Sequence, residues 1–91
     1  MIELSKIEKL KSRLLSEPTD FTFDELETLM KHLGYILNDA GNTSGSAVKF
    51  LNPKTNRSIN LHRPHPTPIL KNYIIKRIIS ELKKEGFFNE K

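Results

Sequence analysis

The sequence predicts an α+β domain in which helices cover one face of a three-stranded antiparallel sheet, a two-layer arrangement. Three observations carry this reading. Apolar residues recur at helical spacing in three segments bounded by start or stop signals. Three short alternating segments follow one another between residues 35 and 62, separated by turn formers. No helical segment lies between those three, so they connect as a meander rather than as parallel crossovers. The predicted order is α-α-β-β-β-α.

The first helix opens at Ser5-Lys6-Ile7-Glu8, which has the form of a capping box. Ile7, Leu10 and Leu14 follow at helical spacing, and Pro18 ends the segment. Residues 1–17 therefore read as an N-terminal helical extension, with Glu17 to Asp20 the candidate linker. Either the extension docks a partner or its leucines complete the core. A domain this small has little core to spare, which favours the second.

The second helix opens with another capping box, Thr22-Phe23-Asp24-Glu25. Phe21 before the cap and Leu26 after it have the spacing of a hydrophobic staple. Phe23, Leu26, Met30 and Leu33 make the expected buried stripe. Gly34 suits the left-handed residue that stops a helix, and His32 in the last turn suits the helix dipole.

Three strands are expected, at 35–38, 46–51 and 58–62, with Asn52-Pro53-Lys54-Thr55-Asn56 as the second turn. Alternation puts Val48, Phe50, Ile59 and Leu61 on the covered face. Ala47, Lys49, Asn60 and His62 fall on the open one. The last helix is expected to begin near Thr67-Pro68, with threonine as cap and proline in the first turn. Leu70, Ile74, Ile78 and Leu82 form its apolar row, and Gly86 its stop. Tyr73 and Phe88 read as core or edge packing rather than as base-stacking platforms.

Ninety-one residues make one domain, 1–91. Charged residues are 29% and hydrophobic residues 36%, a balance that fits a folded soluble chain rather than a disordered one. No apolar run approaches the roughly 20 residues of a membrane span, so no membrane partner is expected. The N-terminus lacks the apolar core of a signal peptide, and there is no cysteine. A cytoplasmic, bacterial-type domain is the expectation.

The net charge of +4 is unevenly spread. Residues 46–84 carry nine lysines and arginines against Glu81 alone, while residues 21–45 are net −3. A basic half on so small a domain suits a polyanion. The other reading is a solvated helix face, but Lys49, Lys54, Arg57 and Arg63 lie on strands and loops.

The run Leu61-His62-Arg63-Pro64-His65-Pro66 closes the third strand. Such a run suits an edge that cleaves RNA or one that grips phosphate; cleavage through the 2′-hydroxyl would need a base there, an acid for the leaving 5′-oxygen and a cation for the crowded phosphorane. Histidine suits both proton roles because its pKa lies near working pH. Arginine grips two phosphate oxygens at once. His62 and His65 supply the first type and Arg63 the second, with prolines restricting the loop. The bland alternative is a strand-end histidine bonded to a carbonyl inside a rigid connector. His62-x-x-His65 lacks the further ligands of a zinc site, so no metal is expected. The segment Gly41 to Gly45 lacks the Gly-Lys-Ser/Thr ending of a P-loop, and no cofactor is expected.

Leu33-Gly34-Tyr35 at a helix end, Gly45-Ser46 entering a strand with Phe50, Ile59-Asn60-Leu61 leading to a histidine and Ile78-Ile79 in a helix closing at Gly86 follow one another in residues 21–88. In that order they resemble the HicA family, small toxins of bacterial toxin–antitoxin pairs. The resemblance implies a fold like a double-stranded-RNA-binding domain. It also implies mRNA endoribonuclease action without a metal or small-molecule cofactor, and neutralisation by a HicB-type antitoxin. Its catalytic histidine follows the Gly-Ser step, where this chain has Ala47.

Three histories give an alanine there: deliberate inactivation of a toxic chain, natural loss, or a branch using the other histidines. The site expected on these grounds is Ala47, His62 and His65 for catalysis, with Ser46, Lys49, Arg63 and Lys71 on the RNA. The alternative is a non-catalytic module that binds RNA or the antitoxin.

Overall fold

A computed structural model describes residues 4–38, 47–64 and 67–88. Its elements are α1 (Leu4–Leu15), α2 (Phe23–His32), β1 (Ile36–Asn38), β2 (Ala47–Asn52), β3 (Arg57–His62) and α3 (Asn72–Lys84). The strands form an antiparallel sheet in the order β1-β2-β3, so the expected α+β meander is present. Ser46, His65, the loop 39–45 and the Ser5 side chain lie outside the described residues.

α2 follows its sequence signals closely. The Thr22 hydroxyl accepts from the Glu25 N–H at 3.1 Å, and Glu25 Oε1 accepts from the Thr22 N–H at 2.9 Å, closing the capping box. Phe21 and Leu26, the staple pair, are both fully buried. At the other end the Gly34 N–H donates to Lys31 O and the Tyr35 N–H to Met30 O, the double bond of a Schellman stop. α3 ends the same way, with Gly86 donating to Lys83 O and Phe87 to Leu82 O. Gly34 has φ 101° and Gly86 φ 91°. A Cβ at either would meet nothing within 4 Å, so backbone angle alone reserves these positions for glycine.

The Schellman bond corrects one boundary. Tyr35 was expected to open the first strand, but its N–H is committed to Met30, and β1 starts at Ile36. A larger correction concerns α3. It starts at Asn72 and not at Thr67-Pro68, with Lys71 in the cap position. The Phe23 N–H donates to Pro68 O and the Leu70 N–H to Phe21 O, each at 2.9 Å. Thr22 and Ile69 thus form an antiparallel bridge. The Pro68 carbonyl satisfies one of the orphan N–H groups at the start of α2. That tertiary bond outweighs the local proline signal.

The core lies between the sheet and the helices. Val48 and Phe50 of β2 and Ile59 and Leu61 of β3 are buried against Ile75, Ile78 and Leu82 of α3 and Phe23, Leu26, Leu29 and Met30 of α2. Leu29 was not expected there, and Leu33 only packs at its border. α1 packs against both α2 and α3, and Ile7, Leu10 and Leu14 join the same cluster. Arg13 fastens that helix. Its guanidinium meets Glu25 at 3.1 Å and Asp20 at 3.3 Å, and lies 5.3 Å from the Phe21 ring centroid.

Candidate nucleic-acid interface

The hairpin of β2 and β3 builds the site. Its turn is tied by the Asn56 N–H donating to Asn52 O and by the Asn52 side chain accepting from the Lys54 N–H. Asn56 takes φ 61°, a left-handed value that asparagine tolerates. This turn sets a register in which Asn52 faces Arg57, and two-residue steps carry that pairing along the strands. Phe50 then meets Ile59 and Val48 meets Leu61, on the buried face. Lys49 meets Asn60, and Ala47 meets His62. The last two pairs stand on the open face, as the alternation predicts.

A groove of about 660 Å³ opens between this end of the sheet and the start of α3. Ala47, His62, Arg63 and Lys71 all line it, so four of the expected site residues come together. Val48, Leu61 and Leu70, each at most 5% exposed, give it an apolar floor. Lys49 does not line the groove; it lies along β2 on the same open face. His62 is exposed, while Arg63 is half-buried with its guanidinium 5.0 Å from the Phe23 ring centroid. That cation–π contact steadies the cation.

α3 contributes two residues that sequence reasoning missed. Tyr73 and Arg77 line the groove from one turn of helix to the next. Tyr73 is 68% exposed, so its reading as a packing residue is corrected. The buried row of α3 runs through Ile75, Ile78, Ile79 and Leu82, and Tyr73 faces away from it. The signal was available: Tyr73 and Arg77 are four apart and both fall outside the Leu70-Ile74-Ile78 row. Phe88, by contrast, is buried.

The electrostatics of the α3 start are unusual for a helix. α2 has a threonine cap with Asp24 and Glu25 in its first turn. α3 has Lys71 at the cap, no side-chain cap bond and no acidic residue in its first turn. A cation there opposes the helix dipole instead of complementing it. The local rule for stability is broken at the edge of the groove, where a cation adds to the pull on an anion. Among the described residues, no group of three or more histidine, cysteine or acidic side chains is placed to hold a metal.

A family model described as HicA toxin of bacterial toxin–antitoxin matches residues 23–87. The chain belongs to the HicA family. Neither a curated protein nor a solved structure matches it. The HicA match runs from the first residue of α2 to Phe87 and contains every groove residue, leaving α1 outside it. Membership in the HicA family makes the chain a toxin of a toxin–antitoxin system, with an antitoxin as its partner. No helix among the described residues of this HicA toxin is long and apolar enough to cross a membrane.

Proposed function

We propose that this toxin acts on mRNA in the cytoplasm as a metal-independent endoribonuclease scaffold, and that a HicB-type antitoxin neutralises it. The supporting observation is the pairing of Ala47 with His62 beside Arg63 and Lys71 in one groove. Directly opposed residues on antiparallel strands have Cβ atoms about 4.5–5.5 Å apart. A histidine at 47 would therefore place two imidazoles on either side of one phosphodiester. One takes the 2′-hydroxyl proton and the other protonates the departing 5′-oxygen. Arg63 and Lys71 meet the charge that builds on the phosphorane. His65, three residues beyond His62 in the sequence, is the other candidate for the second proton role.

With Ala47 in place, one member of the pair cannot transfer a proton. The chain then binds RNA and cleaves it poorly or not at all. The test is incubation of labelled mRNA in chelator with the chain and with its Ala47→His variant. Cleavage by the variant is the expected result. If neither protein cleaves, the enzymatic reading fails. The second reading is then a module that holds RNA through salt-dependent phosphate contacts without product. The methyl group of Ala47 at the centre of the pair is the observation that favours it.

A further inference from the structure

We infer that Tyr73 is a stacking platform for an unpaired nucleobase, so that the groove takes single-stranded rather than duplex RNA. The inference rests on the RNA reading above and narrows its substrate class. The fold alone suggests the opposite, because its resemblance is to a double-stranded-RNA-binding domain.

The argument starts from exposure. Of the two tyrosines, Tyr35 is 3% exposed and Tyr73 is 68% exposed. Tyr73 has the most exposed of the large apolar side chains described, and it stands on a rigid helix rather than a loop. Its neighbours in the groove are of two kinds. Lys71 lies just before it and Arg77 one turn after it, while Val48, Leu61 and Leu70 form an apolar floor. A ligand matching that surface is flat and apolar in the middle and anionic on both sides. A nucleotide in a single strand has that form, since its base is free to leave its neighbours and its phosphates flank it.

Shape supports the same choice. Duplex RNA hides its base faces in the stack and is read across a broad minor groove by shape and 2′-hydroxyl contacts. A concave site with an aromatic ring at its edge offers little to that surface. It suits one or two splayed nucleotides, within the roughly 300–1,000 Å³ of clefts that enclose small organic groups. Base–aromatic stacking also tolerates any base, so Tyr73 supplies affinity without fixing sequence.

The chain has no tryptophan, which makes a direct test available. In a Tyr35→Phe background, Tyr73 is the sole tyrosine and reports its own surroundings by fluorescence. The protein keeps Ala47 so that the RNA is not consumed. A short single-stranded RNA should quench the emission. The same sequence annealed to its complement, and an abasic strand of equal length, should not. By anisotropy of labelled single strand, Tyr73→Ala should weaken binding about 5- to 150-fold, and Tyr73→Phe should retain it. Tyr73 is exposed, so neither change threatens the fold.

Binding of the single strand without quenching, or undiminished binding by Tyr73→Ala, overturns the stacking role and leaves the RNA reading standing. Tighter binding of the duplex overturns the single-strand preference. Binding of neither RNA overturns this inference and the RNA reading together.

Discussion

Ala47 on β2 and His62 on β3 are register partners on the open face of the sheet, and both line the same groove. The pairing converts a sequence oddity into a geometric one. On the proposed reading, in which the family's histidine position falls at 47, that position sits directly across from a histidine that is present.

That relationship makes a prediction beyond simple gain of activity. In the Ala47→His variant, adding His62→Ala should lower the gained cleavage rate by about 10² or more, the usual worth of a positioned acid or base. A separate His65→Ala should leave the rate within a few-fold if His62 is the partner. Initial rates on labelled RNA in chelator measure both.

Lys71 should show a trade between stability and binding. Replacing it with serine supplies the missing cap of α3, worth about 1 kcal/mol, and removes a cation from the helix N-terminus. Lys71→Ser should therefore raise the urea midpoint. The same variant should bind RNA more weakly and lose about one from the salt dependence. Higher stability with unchanged RNA affinity would remove Lys71 from the interface.

Glu85 ties the β2–β3 turn to the end of α3. Its side chain is 3% exposed, bonded by Arg57 Nε at 3.0 Å and by the Thr55 hydroxyl at 2.9 Å. Hydrogen bonds to a charged group are worth about 1.5–3 kcal/mol. Glu85→Ala should cost about that much in urea unfolding, and Glu85→Gln less, because the amide oxygen still accepts from Thr55. The groove is at the other end of the hairpin, so RNA affinity should not change.

Tyr35 predicts the alkaline limb of stability. Its hydroxyl is buried without a hydrogen-bond partner among the described residues. Burial, and then the nearby Glu85 carboxylate, push its pKa above the ordinary phenol value, and the Asn52 side chain opposes the shift. An unfolded tyrosine loses its proton near pH 10, while the folded one still holds it. Above that point the unfolded state binds fewer protons, so stability falls as pH rises from about 10 toward the folded value. Tyr35→Phe should flatten this limb in pH-dependent unfolding. At neutral pH it should match the parent or exceed it by about 1 kcal/mol, since an unpaired buried hydroxyl is lost.

Much of the fold was legible because its signals are local. A capping box closes over four residues, so Thr22 and Glu25 announce α2 wherever it packs. Gly34 and Gly86 mark their helix ends through a backbone angle that other residues resist. Strand alternation assigned Ala47, Lys49, Asn60 and His62 to the open face from the period alone. Thr67-Pro68 misled because its local preference competes with backbone bonds to Phe21 and Phe23, which are distant in sequence. Tyr73 misled because an aromatic residue on an amphipathic helix usually packs, and its actual exposure depends on how α3 is rotated against the sheet.

The candidate site divides along the same line. The sequence by itself determined the chemical types, namely histidines, arginine and lysines in a basic half, with an alanine at 47. Only the tertiary structure decided that Ala47 and His62 are opposed, because that follows from the turn between Asn52 and Arg57. It alone brought Tyr73 and Arg77 to the same groove as Arg63 and Lys71. The reason is physical: residue type and period are properties of short windows of chain, whereas register and helix rotation are set by burying one shared core.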